Sequence, residues 1–328
     1  MSELPLHSKS VTGVGVVNET IVLGSADKTI SIWRAERFAT PTTFALLAVH
    51  PTESKVTALI HDSSTNQVVY GTAGGVVVAR TLDPASGEWV EGEHDELEWD
   101  AHTKGVVGLC VLPPTLVSVG KDGALRIYHR EAGVMTGVWL TQGSGTPSAL
   151  ACDVKNHRVF VGTSKGAILI YAIDRSHPDA PPTLVSELHN EHPLRVSSLV
   201  FHPRSDSLYS ACKGKTIAVW EVGPPGREFV TKLSALITPG LGKISALAYL
   251  PSSQSHLPQI VLGSSKLVAL LPDTVSEAGS SSGPHVIGPS FSSPVTLLHT
   301  CHLSSSSLVI IVAHESGHVH VVSCSSDA

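Results

Sequence analysis

A histidine, a serine and an aspartate lie close together early in the chain: His7, Ser25 and Asp27, with Trp33 just beyond. These are the parts of a nucleophilic relay, in which an acid orients a base and the base takes a hydroxyl proton. A hydrolase of that type presents its serine on a Gly-x-Ser-x-Gly turn, and the surroundings of Ser25 (Leu23-Gly24-Ser25-Ala26-Asp27) are not such a turn. The expected role is structural, a buried polar set in which every member is satisfied and a turn is held to a strand.

A second group is His314, His318 and His320, with His299 and His302 nearby. Imidazoles two apart on a strand share a face. A structural zinc site wants four ligands and a catalytic one three. In a chain with 18 histidines such neighbours arise by chance, so no metal and no cofactor is expected. The five cysteines are scattered, without a C-x-x-C pair, and read as free thiols in a reducing compartment.

The elements that position these residues follow from a repeat. Trp33 has counterparts at Arg80, Tyr128, Tyr171, Trp220, Pro272 and Val322, each closing a strand–turn–strand unit. A period of roughly 40–50 residues built of such units is the mark of a propeller. A four-stranded unit cannot cover both its faces alone, so the units pack radially and close a ring. The expected fold is all-β, a seven-bladed propeller forming one domain. Its blades span residues 11–50, 55–101, 105–142, 148–190, 195–235, 243–288 and 294–324. The last blade lacks a fourth strand, and residues 4–6 are expected to supply it and close the ring, removing an exposed edge. Residues 274–284, rich in Ser and Gly, are expected to be a flexible loop.

Composition narrows the function. A net charge of −6 and a pI of about 6.3 argue against a general nucleic-acid binder. No secretory signal is read at the start and no apolar run long enough to span a membrane. The cytoplasm is the expected compartment, with the nucleus left open.

The repeats resemble the WD-repeat family. The carrying stretches are Gly24-Ser25-Ala26-Asp27 leading to Ile32-Trp33, and Ser118-Val119-Gly120-Lys121-Asp122-Gly123 leading to Ile127-Tyr128. The resemblance implies a buried tetrad of His7, Ser25, Asp27 and Trp33. It implies a partial one of His102, Asp122 and Tyr128, with Gly120 where the hydroxyl belongs. No copy ends in a literal Trp-Asp pair. Residues 66–222 also resemble the propeller of WD-repeat and FYVE-domain proteins, on Ala151–Gly162 and Val200–Ala211. Those relatives are adaptors at phosphoinositide-bearing endosomes. The lipid-binding finger would need C-x-x-C pairs, so any endosomal role would run through a partner.

The basic residues add a surface. In a propeller the loops entering each first strand share a rim with the turns between second and third strands. Half of the 22 Lys and Arg fall at such places, among them Lys55, Lys104, Lys121, Lys165, Arg195, Lys213 and Lys243. A surface of one sign steers and orients a partner of the other. An acidic loop around Glu88, Glu91, Glu93, Asp95 and Glu96 carries Trp89, a second candidate contact. These residues point to a non-enzymatic scaffold or adaptor within a complex. It would bind protein partners through acidic or phosphorylated segments, without inserting into a membrane. A propeller-based hydrolase and a ubiquitin-ligase substrate adaptor remain as alternatives.

Overall fold

The computed structural model describes residues 2–4, 7–36, 43–92, 96–129, 134–140, 145–174, 176–177, 180–189, 192–223, 231–250, 259–265, 267–271, 285–287, 290–304 and 307–324. Every regular element among them is a strand, so no helix is long and apolar enough to cross a membrane. The strands form seven four-stranded antiparallel sheets, the blades of a seven-bladed β-propeller. They fall into two compact units, Met1–Leu109 with Thr296–Ala328, and Cys110–Val295.

The first unit opens with β1 (Ser2–Leu4). Blade one is β2 (Val11–Val17), β3 (Thr20–Ser25), β4 (Thr29–Ala35) and β5 (Phe44–Pro51). Blade two is β6 (Val56–Asp62), β7 (Gln67–Thr72), β8 (Val76–Thr81) and β9 (Glu96–Asp100). Blade three is β10 (Val106–Leu112), whose first residues belong to the first unit, followed in the second unit by β11 (Thr115–Gly120), β12 (Ala124–His129) and β13 (Val134–Trp139). Blade four is β14 (Pro147–Asp153), β15 (Arg158–Thr163), β16 (Ile168–Ala172) and β17 (Thr183–Leu188). Blade five is β18 (Val196–His202), β19 (Ser207–Cys212), β20 (Ile217–Val222) and β21 (Thr231–Ile237). Blade six is β22 (Ile244–Leu250), β23 (Gln259–Ser264), β24 (Val268–Leu271) and β25 (His285–Val286). Blade seven, back in the first unit, is β26 (Val295–Ser304), β27 (Ser307–His314) and β28 (Val319–Cys324), completed by β1.

β1 pairs antiparallel with β28, Ser2 opposite Val321 and Leu4 opposite Val319. The closing strand therefore lies at 2–4; of the expected 4–6, residues 5 and 6 are outside the described residues, as is the Ser/Gly stretch 274–284. Leu4 anchors β1 by joining Val11, Ile21, Leu23, Trp33, Ile311 and Val321 in one core.

Burial follows the order of strands within a blade. The second strands β3, β7, β11, β15 and β19 are buried at every position. Their sequences accordingly lack polar alternation, as in Thr20-Ile-Val-Leu-Gly-Ser25. Fourth strands β5 and β17 are mixed or exposed.

A repeated device holds neighbouring blades together. The second residue of β2, β6, β14, β18 and β22 is left out of the ladder as a bulge. A bulge residue is unpaired and can re-aim its side chain. Here it is Thr12, Thr57, Ser148, Ser197 or Ser245, and each hydroxyl bonds a carbonyl of its own second strand. Four of them also reach the next blade: Thr12 to the Val56 carbonyl, Ser148 to Val196, Ser197 to Ile244, Ser245 to Val295. Thr296 lies the same way between the Ala313 and Val11 carbonyls. Blade four is also tied to blade five by Arg158, buried against Asp153 at 2.5 Å and donating to the Gly223 carbonyl at 2.5 Å.

Candidate interaction site

Blade one holds the polar set near the chain start. Nδ1 of His7 donates to Oδ2 of Asp27 at 3.0 Å, and Nε2 accepts from the Ser31 hydroxyl at 2.8 Å. The Ser31 oxygen in turn accepts Trp33 Nε1–H at 3.0 Å. Asp27 also takes the Ser8 and Thr29 backbone N–H groups and the Thr29 hydroxyl. The hydroxyl of this lock is thus Ser31, and Ser25, expected there, is elsewhere. Ser25 caps the turn, donating toward the Lys9 and Ser10 carbonyls and accepting Asp27 N–H. The reason is geometric: Ser31 is two residues before Trp33 on β4 and shares its face, whereas Ser25 ends β3.

The connectivity Asp27–His7–Ser31 is that of a hydrolase relay, but Ser31 is fully buried and one of its lone pairs is held by the indole. Burial lowers the His7 pKa, and Asp27 partly counters it. A nucleophile must meet its substrate, and this one faces only the protein interior.

Blade five carries a related set that the sequence reading missed. Nε2 of His192 lies 2.7 Å from Ser210 Oγ, which accepts Trp220 Nε1–H at 2.9 Å. Ser210 is on β19 opposite Ala218, while in blade one Leu23 on β3 lies opposite Ser31 on β4. The hydroxyl has moved between the two members of one cross-strand pair and still bridges His to Trp. In blade three Ser118, opposite Arg126, occupies the register of Ser210, so the hydroxyl place there is Ser118 and not Gly120. The available signal was the spacing of His192 from Trp220, close to that of His7 from Trp33.

The two locks differ at the turn. Register places Gly214 where blade one has Asp27, Cys212 for Ser25 and Thr216 for Thr29. Gly214 brings no carboxylate, and Nδ1 of His192, in a residue 3% exposed, has no hydrogen-bond partner among the described residues. Burial pushes the His192 pKa down to about 4, against a hydrogen bond to the Ser210 backbone that raises it. Thr216 Oγ1 turns to Cys212 Sγ at 3.7 Å, which also accepts Gly214 N–H at 3.2 Å.

Around this turn the second unit is basic. Lys121 lies in the β11–β12 turn, Lys165 in β15–β16, Lys213 and Lys215 in β19–β20; Arg195 precedes β18 and Lys243 precedes β22. All six are exposed, and none is ion-paired with a described residue. Blades four to six share this rim. Gly166, in the blade-four turn at φ +88, packs so closely that a Cβ would stand 1.9 Å from the His192 carbonyl oxygen. Ile244 N–H, at the head of blade six, donates to the Gly214 carbonyl. Leu194, half exposed, stands among these cations. In the first unit Lys55 and Lys104 are exposed at the heads of β6 and β10.

Trp89 is only partly exposed. It bridges Leu82, packs on the blade-one and blade-two core and lies 5.0 Å from the His50 ring, so one edge at most remains for a partner. Residues 93–95 of the acidic loop lie outside the described residues. Of the late histidines, His318 bonds Glu3 at 2.5 Å and His314 packs edge-on against His320.

With this geometry in hand, the likenesses are specific. The family model described as WD domain, G-beta repeat matches residues 183–221, the stretch with His192, Ser210 and Trp220. The WD40 β-propeller domain of Doa1 superposes with a TM-score of 0.71 at 13% identity, covering 98% of this chain and 94% of that one. The fold is a seven-bladed β-propeller similar to that of WD40 domains. Sqt1 from Chaetomium thermophilum is similar at TM-score 0.68 and 16% identity, covering 98% of this chain and 85% of that one. So is Sqt1 in complex with the N-terminus of the ribosomal protein L10, at the same score and identity. No curated protein sequence matches this chain. The match to the family model runs from β17, the last strand of blade four, through the first three strands of blade five, and does not touch blade one.

Proposed function

We propose that this chain is a non-enzymatic protein-interaction module, a subunit of a larger complex, that docks an acidic or phosphorylated segment on the basic rim of its second unit. The carrying observation is the run of six exposed cations at the heads and turns of blades three to six, none of them neutralised by a described carboxylate. Unpaired cations on one rim attract an anionic segment and fix its register, with strong salt dependence. Leu194 offers an apolar contact within that field. The similar propeller Sqt1, crystallised with the N-terminus of a ribosomal protein, supports a segment-binding use of such a fold.

The test is affinity purification of the tagged chain from its own cells at low and high salt, beside a variant with Lys121, Lys165 and Lys213 changed to Glu. A stoichiometric partner is expected at low salt, lost at high salt and lost in the variant. The same partner retained by the variant overturns the reading.

A further inference from the structure

In the second unit the ends of neighbouring first strands meet across the seams between blades. β10, β14, β18 and β22 are all seven residues long, so their positions compare directly. Between blades four and five, the fifth residue of β14 and the sixth of β18, Ala151 and Phe201, share one apolar core. Between blades five and six, Val200 and Tyr249 hold the same two positions in another. Alternation along a strand accounts for this: the fifth residue of one first strand faces the next blade, and the sixth residue of the next faces back.

Between blades three and four the same two positions are Cys110 and Cys152. The Cys152 S–H donates to the Val111 carbonyl at 3.8 Å, across the seam, and the Cys110 S–H donates to Cys152 Sγ. The two sulfurs are in contact, and neither is in a disulfide. Cys110 is buried, whereas Cys152 is part-exposed. The contact with Cys152, and burial after it, push the Cys110 thiol well above its ordinary range. Cys110 therefore stays protonated, and Cys152 is the member that an oxidant in solution meets. Other thiols are poorer targets: Cys212 is fully buried, and burial pushes Cys301 up to about 12.

We propose that Cys110 and Cys152 are an oxidation-sensitive staple, converted by a hydroperoxide into a disulfide that joins blades three and four. The Cys152 sulfur attacks one oxygen of the peroxide, the O–O bond breaks, and a sulfenic acid forms as water leaves with the thiol proton. The Cys110 sulfur then attacks the Cys152 sulfur. The S–S bond forms, the S–O bond breaks, and the departing hydroxide takes the Cys110 proton and leaves as water. Two thiols are oxidised and one peroxide is reduced to two waters. The bond ties two blades that otherwise meet through side-chain packing, so the oxidised chain resists unfolding better than the reduced one.

The test is brief treatment of the folded, full chain with hydrogen peroxide, alkylation of remaining thiols, and tryptic mass spectrometry. Cys110 and Cys152 fall in different tryptic peptides, residues 105–121 and 131–155. The expected product is these two peptides joined, two hydrogens lighter than their sum and separated by dithiothreitol. The oxidised chain should melt about 5 °C higher, and lose that gain on reduction. In Cys110→Ser the Cys152 sulfenic acid should persist and be trapped by dimedone, and in Cys152→Ser the Cys110 thiol should survive the same dose. Wild-type chain in which Cys152 is oxidised while Cys110 remains a free thiol overturns the inference. So does a chain in which either cysteine pairs mainly with another, in which the same mixture of links forms after unfolding in urea, or in which the link brings no rise in Tm.

Discussion

Blade one and blade five solve one problem with different parts. Each ties a histidine ahead of the first strand to an indole on the third through a single hydroxyl. In blade one the hydroxyl comes from the third strand and a turn aspartate completes the set; in blade five it comes from the second strand and the set stops at His192. The place of the hydroxyl in space is therefore what matters, since either member of a facing pair can deliver it. The carboxylate is separable: blade five keeps the His–Ser–Trp bridge without one and leaves His192 Nδ1 enclosed with no partner among the described residues.

The strongest way to break this comparison is to move the hydroxyl. Ser210→Ala strands His192 Nε2 and Trp220 Nε1 together and should cost about 3 kcal/mol in urea unfolding. Adding Ala218→Ser in that background copies the blade-one arrangement and should recover more than half. No recovery would show that the two positions are not equivalent. Acid sharpens the contrast next. A histidine whose folded pKa lies below its unfolded value takes up protons preferentially when unfolded, so its stability is complete above pH 6.5 and is lost as pH falls from there toward the folded value. For His192, at about 4, the loss approaches roughly 3 kcal/mol. His299 is likewise pushed down to about 4 by burial, so the effect of His192 is isolated as the difference between wild type and Cys212→Ser/Gly214→Asp. That difference should appear as a flatter stability profile between pH 6.5 and 4 in the variant. At neutral pH the same variant should be more stable by about 1.5 kcal/mol, the worth of one charge-assisted bond, visible as a raised Tm. The smallest effect is expected from Ser148→Ala, where one hydroxyl leaves two carbonyls it bridges, at about 1 kcal/mol.

The period of the repeats and the apolar second strands made the all-β propeller legible, because period and alternation belong to the chain itself. The lock was only half legible. His7, Asp27 and Trp33 are rare enough to stand out, but choosing between Ser25 and Ser31 needs the register of β3 against β4. Blade five was hidden for the opposite reason: its turn reads Lys213-Gly214-Lys215, so nothing in the local sequence announced that His192, Ser210 and Trp220 converge. The bulge hydroxyls from Thr12 to Ser245 were invisible because serine and threonine are common, and only pairing shows that each falls on the one unpaired residue of its strand. That Trp89 folds back on a core was not legible, because sequence cannot tell a loop tryptophan from one packed against its own blade.

The pairing of β1 with β28 sets an order in time. Ser2–Leu4 are made more than 300 residues before Val319–Val321, which they face. Until β28 is made the β1 segment has no strand to pair with, and Leu4 lacks the blade-seven half of its core, Val309, Ile311, Val319 and Val321. Blade seven, a sheet built from both ends of this sequence, can form only after everything between has been translated. A bulky group placed directly before Ser2 therefore competes with the pairing of β1 and β28, whereas one placed after Cys324 meets a strand already paired on its other side with β27.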